Sequence, residues 1–118
     1  MNILVIDDDK QFLLVLGEVL KKYGFKVKTA LNGITALETI AENNIDLIIT
    51  DTIMPDTPIM SFVCILKNSY PEIPVILISG LPDSPLISNS LILGADEFLP
   101  KPLDINSLFA AINKFKAA

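Results

Sequence analysis

The apolar run ILVI (3–6) leads straight into three consecutive carboxylates, Asp7, Asp8 and Asp9. Three other runs end on a single residue capable of chemistry: Asp51 follows LIIT, Ser79 closes VILIS, and Lys101 follows DEFLP. Carboxylates gathered within a few ångströms cannot all stay charged unless a cation offsets them. The chain has no histidine, which removes Ser-His-Asp and Cys-His catalysis and histidine metal sites. Any metal must then be a hard ion held by oxygen, and Mg²⁺ suits a set of one or two carboxylates plus waters. The only cysteine, Cys64, sits in the apolar stretch FVCIL. It reads as a small buried residue, it can form no internal disulfide, and a reducing compartment is its natural setting.

These residues need elements to position them. ILVI (3–6), LIIT (47–50) and VILIS (75–79) are continuously apolar and β-branched, the pattern of parallel strands covered on both faces. KVKTA (26–30) and DEFLP (96–100) mix polar and apolar residues and read as sheet edges. Between the runs lie helical patterns. The first, over 10–23, puts Leu13, Leu16, Gly17 and Leu20 on one face and stops at Gly24; the second, over 33–42, turns Ala36, Leu37, Ile40 and Ala41 inward. A third runs from about 58 to 69, started by Pro58. A fourth, about 85–93, is expected to be short or mobile, because SPLISNSLIL is rich in serine and asparagine. Asp104 caps a fifth, whose Ile105, Leu108, Ile112 and Phe115 form one stripe.

Five strands alternating with five helices predict an α/β protein, a (βα)5 three-layer sandwich over residues 1–118. With the half-polar runs at the edges, the parallel sheet takes the order 2-1-3-4-5, the flavodoxin-like arrangement. Sites in such sheets lie beyond the carboxyl ends of the strands, at the switch point between strands one and three. Asp7, Asp8, Asp51, Ser79 and Lys101 therefore converge in one crevice. The competing reading gives Asp7 and Asp8 to a helix N-terminus, where the dipole favours acids. Asp9 and Lys10 read as solvated surface.

Composition narrows the partners. A net charge of −5 and no Lys/Arg cluster argue against direct binding to nucleic acid or to an anionic membrane surface. The N-terminal apolar run is too short for a signal peptide, and no stretch of 18 or more apolar residues suggests a membrane span. The expected location is the cytoplasm.

The acidic pair Asp7-Asp8, DLIITDTIMP with Asp51, VILISG with Ser79 and GADEFLPKP with Lys101 stand in order at strand ends. In these marks the whole chain resembles the receiver domains of two-component response regulators, of the chemotaxis-regulator type. The resemblance implies that Asp51 is the phosphoacceptor. It also implies that Asp8 and Asp51 hold Mg²⁺ with the backbone carbonyl of Ile53, while Asp7 assists through the metal's water shell. Lys101 and the Ser79 hydroxyl would meet the phosphoryl charge, the Lys101–Pro102 peptide would be cis, and Phe98 would be the aromatic that turns inward with Ser79. The implied donor is a sensor histidine kinase or a phosphotransfer protein. The implied readout is the face of helix four, strand five and helix five, presented to a downstream effector or fused output domain; that face could also pair two copies as a homodimer. Such a domain is not an enzyme in the ordinary sense, since it catalyses only its own phosphorylation and dephosphorylation.

The chain departs from the family pattern at Pro58 and Ile59, where receivers commonly carry an acid and a glycine, and at Gly80, where alanine is usual; GLPDSP after strand four is rich in proline. The residues expected to flank the approach of hydrolytic water, Ile53 and Leu81, are apolar, so slow self-dephosphorylation is expected. The nearest rival is a pseudo-receiver, an interaction module that is never phosphorylated. A phosphatase of the haloacid dehalogenase type would need a second acid where Ile53 stands. An FMN site would need a hydroxyl- and glycine-rich loop after strand one, and a nicotinamide site needs G-x-G-x-x-G.

Overall fold

Runs with no polar face have nothing to give to water, so they must be covered on both sides, and the structure covers all three. It is a computed structural model that describes residues 1–80 and 85–116. The elements alternate as β1 (Asn2–Ile6), α1 (Lys10–Lys22), β2 (Lys26–Ala30), α2 (Gly33–Glu42), β3 (Leu47–Asp51), α3 (Ile59–Ser69), β4 (Val75–Ser79), α4 (Pro85–Ile92), β5 (Glu97–Pro100) and α5 (Ile105–Lys116). The strands pair in parallel in the order β2-β1-β3-β4-β5, as expected from the half-polar edges. Lys26 and Lys28 are exposed on the β2 edge, where charged side chains discourage pairing with another chain.

Alternation along each strand splits the core into two layers. Ile3, Val5, Ile49, Ile76 and Ile78 pack under α1 and α5, against Leu13, Leu16, Leu20, Leu108 and Ile112. Leu4, Ile6, Ile48, Val75 and Leu77 pack on the other face, against Ala36, Ile40, Phe62, Val63 and Leu66 of α2 and α3.

Helix starts and stops follow local chemistry. Asn32 caps α2 by accepting the Thr35 N–H at 2.8 Å. Asp104 caps α5, accepting from Asn106 N–H at 3.2 Å and from the Ser107 hydroxyl at 2.8 Å. Gly24 ends α1 with φ of +91°, a conformation that side chains disfavour.

Some expectations need correction. Asp9, read as solvated surface, is exposed but is the N-cap of α1, accepting from the N–H groups of Gln11 and Phe12. Ala41, expected to face inward, is exposed; Ile40 takes the buried position, and the next residue is rotated about 100° around a 3.6-residue turn. Cys64 is half-buried, with the Asn68 amide 3.5 Å from its sulfur. Pro58 precedes α3 instead of opening it, and no side chain caps that helix. The fourth helix is short, as expected, at eight residues. Leu81 and most of the proline-rich loop after β4 lie outside the described residues. Among those described, no helix is long and apolar enough to cross a membrane.

Candidate functional site

Backbone bonds carry the ladder one step past the strand ends and fix where the site residues begin. Asp7 N–H donates to Ala30 C=O at 3.1 Å, Thr52 N–H to Ile78 C=O at 3.2 Å, and Lys101 N–H to Ser79 C=O at 2.8 Å. The side chains that matter thus spring from the rigid sheet or from the first residue beyond it. Because β1 and β3 are central neighbours, their terminal acids come together at the switch point.

One carboxylate oxygen from each of Asp7, Asp8 and Asp51 lies within 4.8 Å of the others. Asp7 is buried, Asp8 exposed, and Asp51 is 9% exposed. The Lys101 ammonium spans two of them, 3.3 Å from Asp7 Oδ2 and 3.6 Å from Asp51 Oδ1. It also stands 5.1 Å from the centre of the Phe12 ring, within range of a cation–π attraction. Asp7 Oδ1 accepts the Asp9 N–H at 2.9 Å, and Asp51 Oδ1 faces the Ile53 N–H at a long 3.5 Å. With its acids ionised the cluster carries more negative charge than one ammonium offsets, and all its donors are oxygen. That chemistry fits a hard divalent cation.

Burial pushes the Asp7 carboxyl up from its ordinary value, and repulsion from Asp51 adds to it; the Asp9 N–H and Lys101 oppose the shift without cancelling it. A carboxyl whose folded pKa exceeds its unfolded one costs no stability while both states are protonated. The cost appears as pH rises through the unfolded value, 3.8, and is complete above the folded pKa. With metal removed by chelator, Asp7→Asn should therefore raise Tm at pH 7, and the gain should vanish near pH 3. Thermal melts of both proteins across that range check the sign.

The remaining expected residues are placed as follows. Ser79 is buried at the end of β4, paired in register with Pro100. Phe98 pairs with Leu77 and packs, half-buried, on the α2–α3 face of the sheet. The Ile53 side chain is 52% exposed. The Lys101–Pro102 peptide is cis. Two residues with contacts at the site or in the loop leaving β3 were not foreseen. Phe12 could have been suspected from its place three residues after the helix-capping Asp9; Thr57, whose hydroxyl accepts the Gly33 N–H at 2.9 Å, leaves no signal in the sequence.

An open five-stranded parallel sheet with acids and a lysine gathered at its β1/β3 switch point defines a flavodoxin-like α/β domain with an acidic site. The chain belongs to the response regulator receiver domain family, whose model matches residues 3–113. It is 32% identical over 113 residues to the DNA-binding transcriptional regulator NtrC of Rhizobium meliloti, a match covering 96% of this chain and 23% of that protein. A two-component response regulator from Clostridium difficile aligns with a TM-score of 0.93 at 27% identity, covering 99% of this chain and 96% of that one. The receiver domain of Francisella response regulator 1452 aligns at 0.86 with 33% identity, covering 97% and 94%. The chain spans about a quarter of the length of the first curated relatives it matches. It is a receiver domain of two-component signalling.

Proposed function

We propose that Asp51 accepts a phosphoryl group from a phosphohistidine of a sensor histidine kinase or phosphotransfer protein. The observation that carries this reading is the Lys101 ammonium spanning Asp7 and Asp51 at 3.3 and 3.6 Å beside a third carboxylate, Asp8. A carboxylate oxygen of Asp51 attacks phosphorus, the phosphorus–nitrogen bond breaks, and its electron pair leaves with the donor's imidazole nitrogen. Asp8, Asp51 and the Ile53 carbonyl would hold Mg²⁺, with Asp7 assisting through water. When bound, the ion supplies positive charge to the phosphoryl oxygens. Lys101 exchanges its contact with Asp51 for one with the new phosphoryl group, and the Ser79 hydroxyl offers a hydrogen bond from the neighbouring strand. Movement of Ser79 and Phe98 would then alter the α4–β5–α5 face, which is read by a downstream effector or an output segment. The NtrC relative, a DNA-binding regulator about four times the length of the match, supports the latter form.

The test is incubation with acetyl phosphate followed by intact-mass measurement. Wild type should gain one phosphoryl group with Mg²⁺ and none with excess chelator, and the adduct should be cleaved by hydroxylamine, as an acyl phosphate is. No labelling at saturating donor and Mg²⁺ would instead make the domain an unphosphorylated interaction module.

Persistence of the phosphoryl group should reflect Ile53. An apolar side chain cannot orient the attacking water. After donor removal, the label on Ile53→Asn should decay at least about threefold faster than on wild type, a small part of what positioning can contribute. Equal decay would remove Ile53 from control of the lifetime.

A further inference from the structure

We propose that Thr57 positions the metal-holding loop between β3 and α3 by tethering it to the first turn of α2. The inference rests on the reading of Asp7, Asp8, Asp51 and Ile53 as the metal site. The loop starts at Thr52, held to β4 by its backbone, and passes through Ile53 to the buried Met54. Met54 and Thr57 form an isolated antiparallel bridge, with Thr57 N–H donating to Met54 C=O at 3.2 Å. Residues 54–57 are thus a turn closed on itself, so whatever holds Thr57 also holds Met54 and, one residue back, Ile53.

What holds Thr57 is α2. Its hydroxyl, on a side chain only 7% exposed, accepts the N–H of Gly33, a buried bond between residues 24 apart in sequence. Gly33 is the first residue of α2, and its amide is one of those a helix leaves without an internal acceptor. The side-chain cap from Asn32 is engaged with Thr35, so the Gly33 amide takes its acceptor from the other loop. The fit is close: a Cβ on Gly33 would lie 2.7 Å from Thr57 Cγ2 and 3.1 Å from Oγ1, so any larger residue there would push the Thr57 side chain from its present position. Beyond Thr57, α3 starts after Pro58 with no side-chain cap of its own.

Coupling of this kind is reciprocal. A metal that orders Ile53 and Asp51 steadies Thr57 and, through it, the Gly33 amide; loss of the tether loosens the loop and weakens the metal.

The experiment uses the full chain with Mg²⁺ alone as probe. Dissociation constants come from amide shifts in an NMR titration, Gly33 amide exchange is measured with and without Mg²⁺, and Tm is recorded for every variant. Thr57→Val keeps the shape and removes the acceptor; it should bind Mg²⁺ about fivefold or more weakly, and its Gly33 amide should no longer slow on Mg²⁺ addition. Thr57→Ser restores the hydroxyl and should bind within about twofold of wild type. Lys67→Met breaks the Lys67–Asp96 pair at the opposite end of the sheet; it should lower Tm and leave Mg²⁺ affinity unchanged. If Thr57→Val loses Tm but keeps wild-type affinity, the bond is only structural and the inference falls. Should that variant not fold, wild-type Gly33 exchange that ignores Mg²⁺ overturns it equally. A wild type that takes up no Mg²⁺ refutes the metal-site reading itself, and the tether's role with it.

Discussion

Asp51→Asn should leave no detectable phosphoryl adduct after exposure to acetyl phosphate and Mg²⁺ under conditions that label wild type to completion. In the proposed transfer the carboxylate of Asp51 is the nucleophile, and an amide at that position has the same shape with almost no nucleophilicity. Asp7 is buried and pinned by the Asp9 N–H and Lys101, and Asp8 is the acid that the proposed function gives to the metal. The fold should survive, because Asp51 ends its strand with its backbone in register beside β4 and the substitution changes no volume. A loss of labelling with a cooperative melting transition retained identifies the acceptor. An Asn variant that labels at the wild-type rate would move the chemistry elsewhere.

Lys101→Ala should slow labelling by a hundredfold or so at saturating Mg²⁺, the scale observed when one preorganised donor to a developing anion is removed. The ammonium is held before any phosphoryl group arrives: Asp7 and Asp51 draw it from two sides and the Phe12 ring lies beneath it. Only its contact with Asp51 has then to be exchanged as charge develops on the phosphoryl oxygens. The same substitution leaves the acids of the cluster without their ammonium, so metal-free Lys101→Ala should also melt below wild type, and added Mg²⁺ should recover more stability in the variant than in wild type. Initial rates with acetyl phosphate, read beside melting curves with and without Mg²⁺, separate the two effects. A labelling rate within threefold of wild type would show that Lys101 contributes no charge stabilisation to the transfer.

The strands, their order and the carboxyl-end location of the acids were all legible in the sequence, because each depends on local pattern. Val75–Ser79 is a run with no polar side chain to give to water until its last residue, so it has to be an interior strand; Lys26 and Lys28 alternate along a strand that has to be an edge. Once the order was set, the switch point placed Asp7, Asp8 and Asp51 together without further information. What the tertiary structure alone decided is how those residues divide the work. The burial of Asp7 against the exposure of Asp8, the ammonium reaching Asp7 from 94 residues away, and the Thr57 hydroxyl under Gly33 from 24 away all arise between distant segments. They depend on strand register and on the direction each loop takes as it leaves the sheet. Neighbouring acids in a row look alike to any local pattern; Asp7, Asp8 and Asp9 become a buried acid, an exposed acid and a helix cap because the chain turns from β1 into α1 across them.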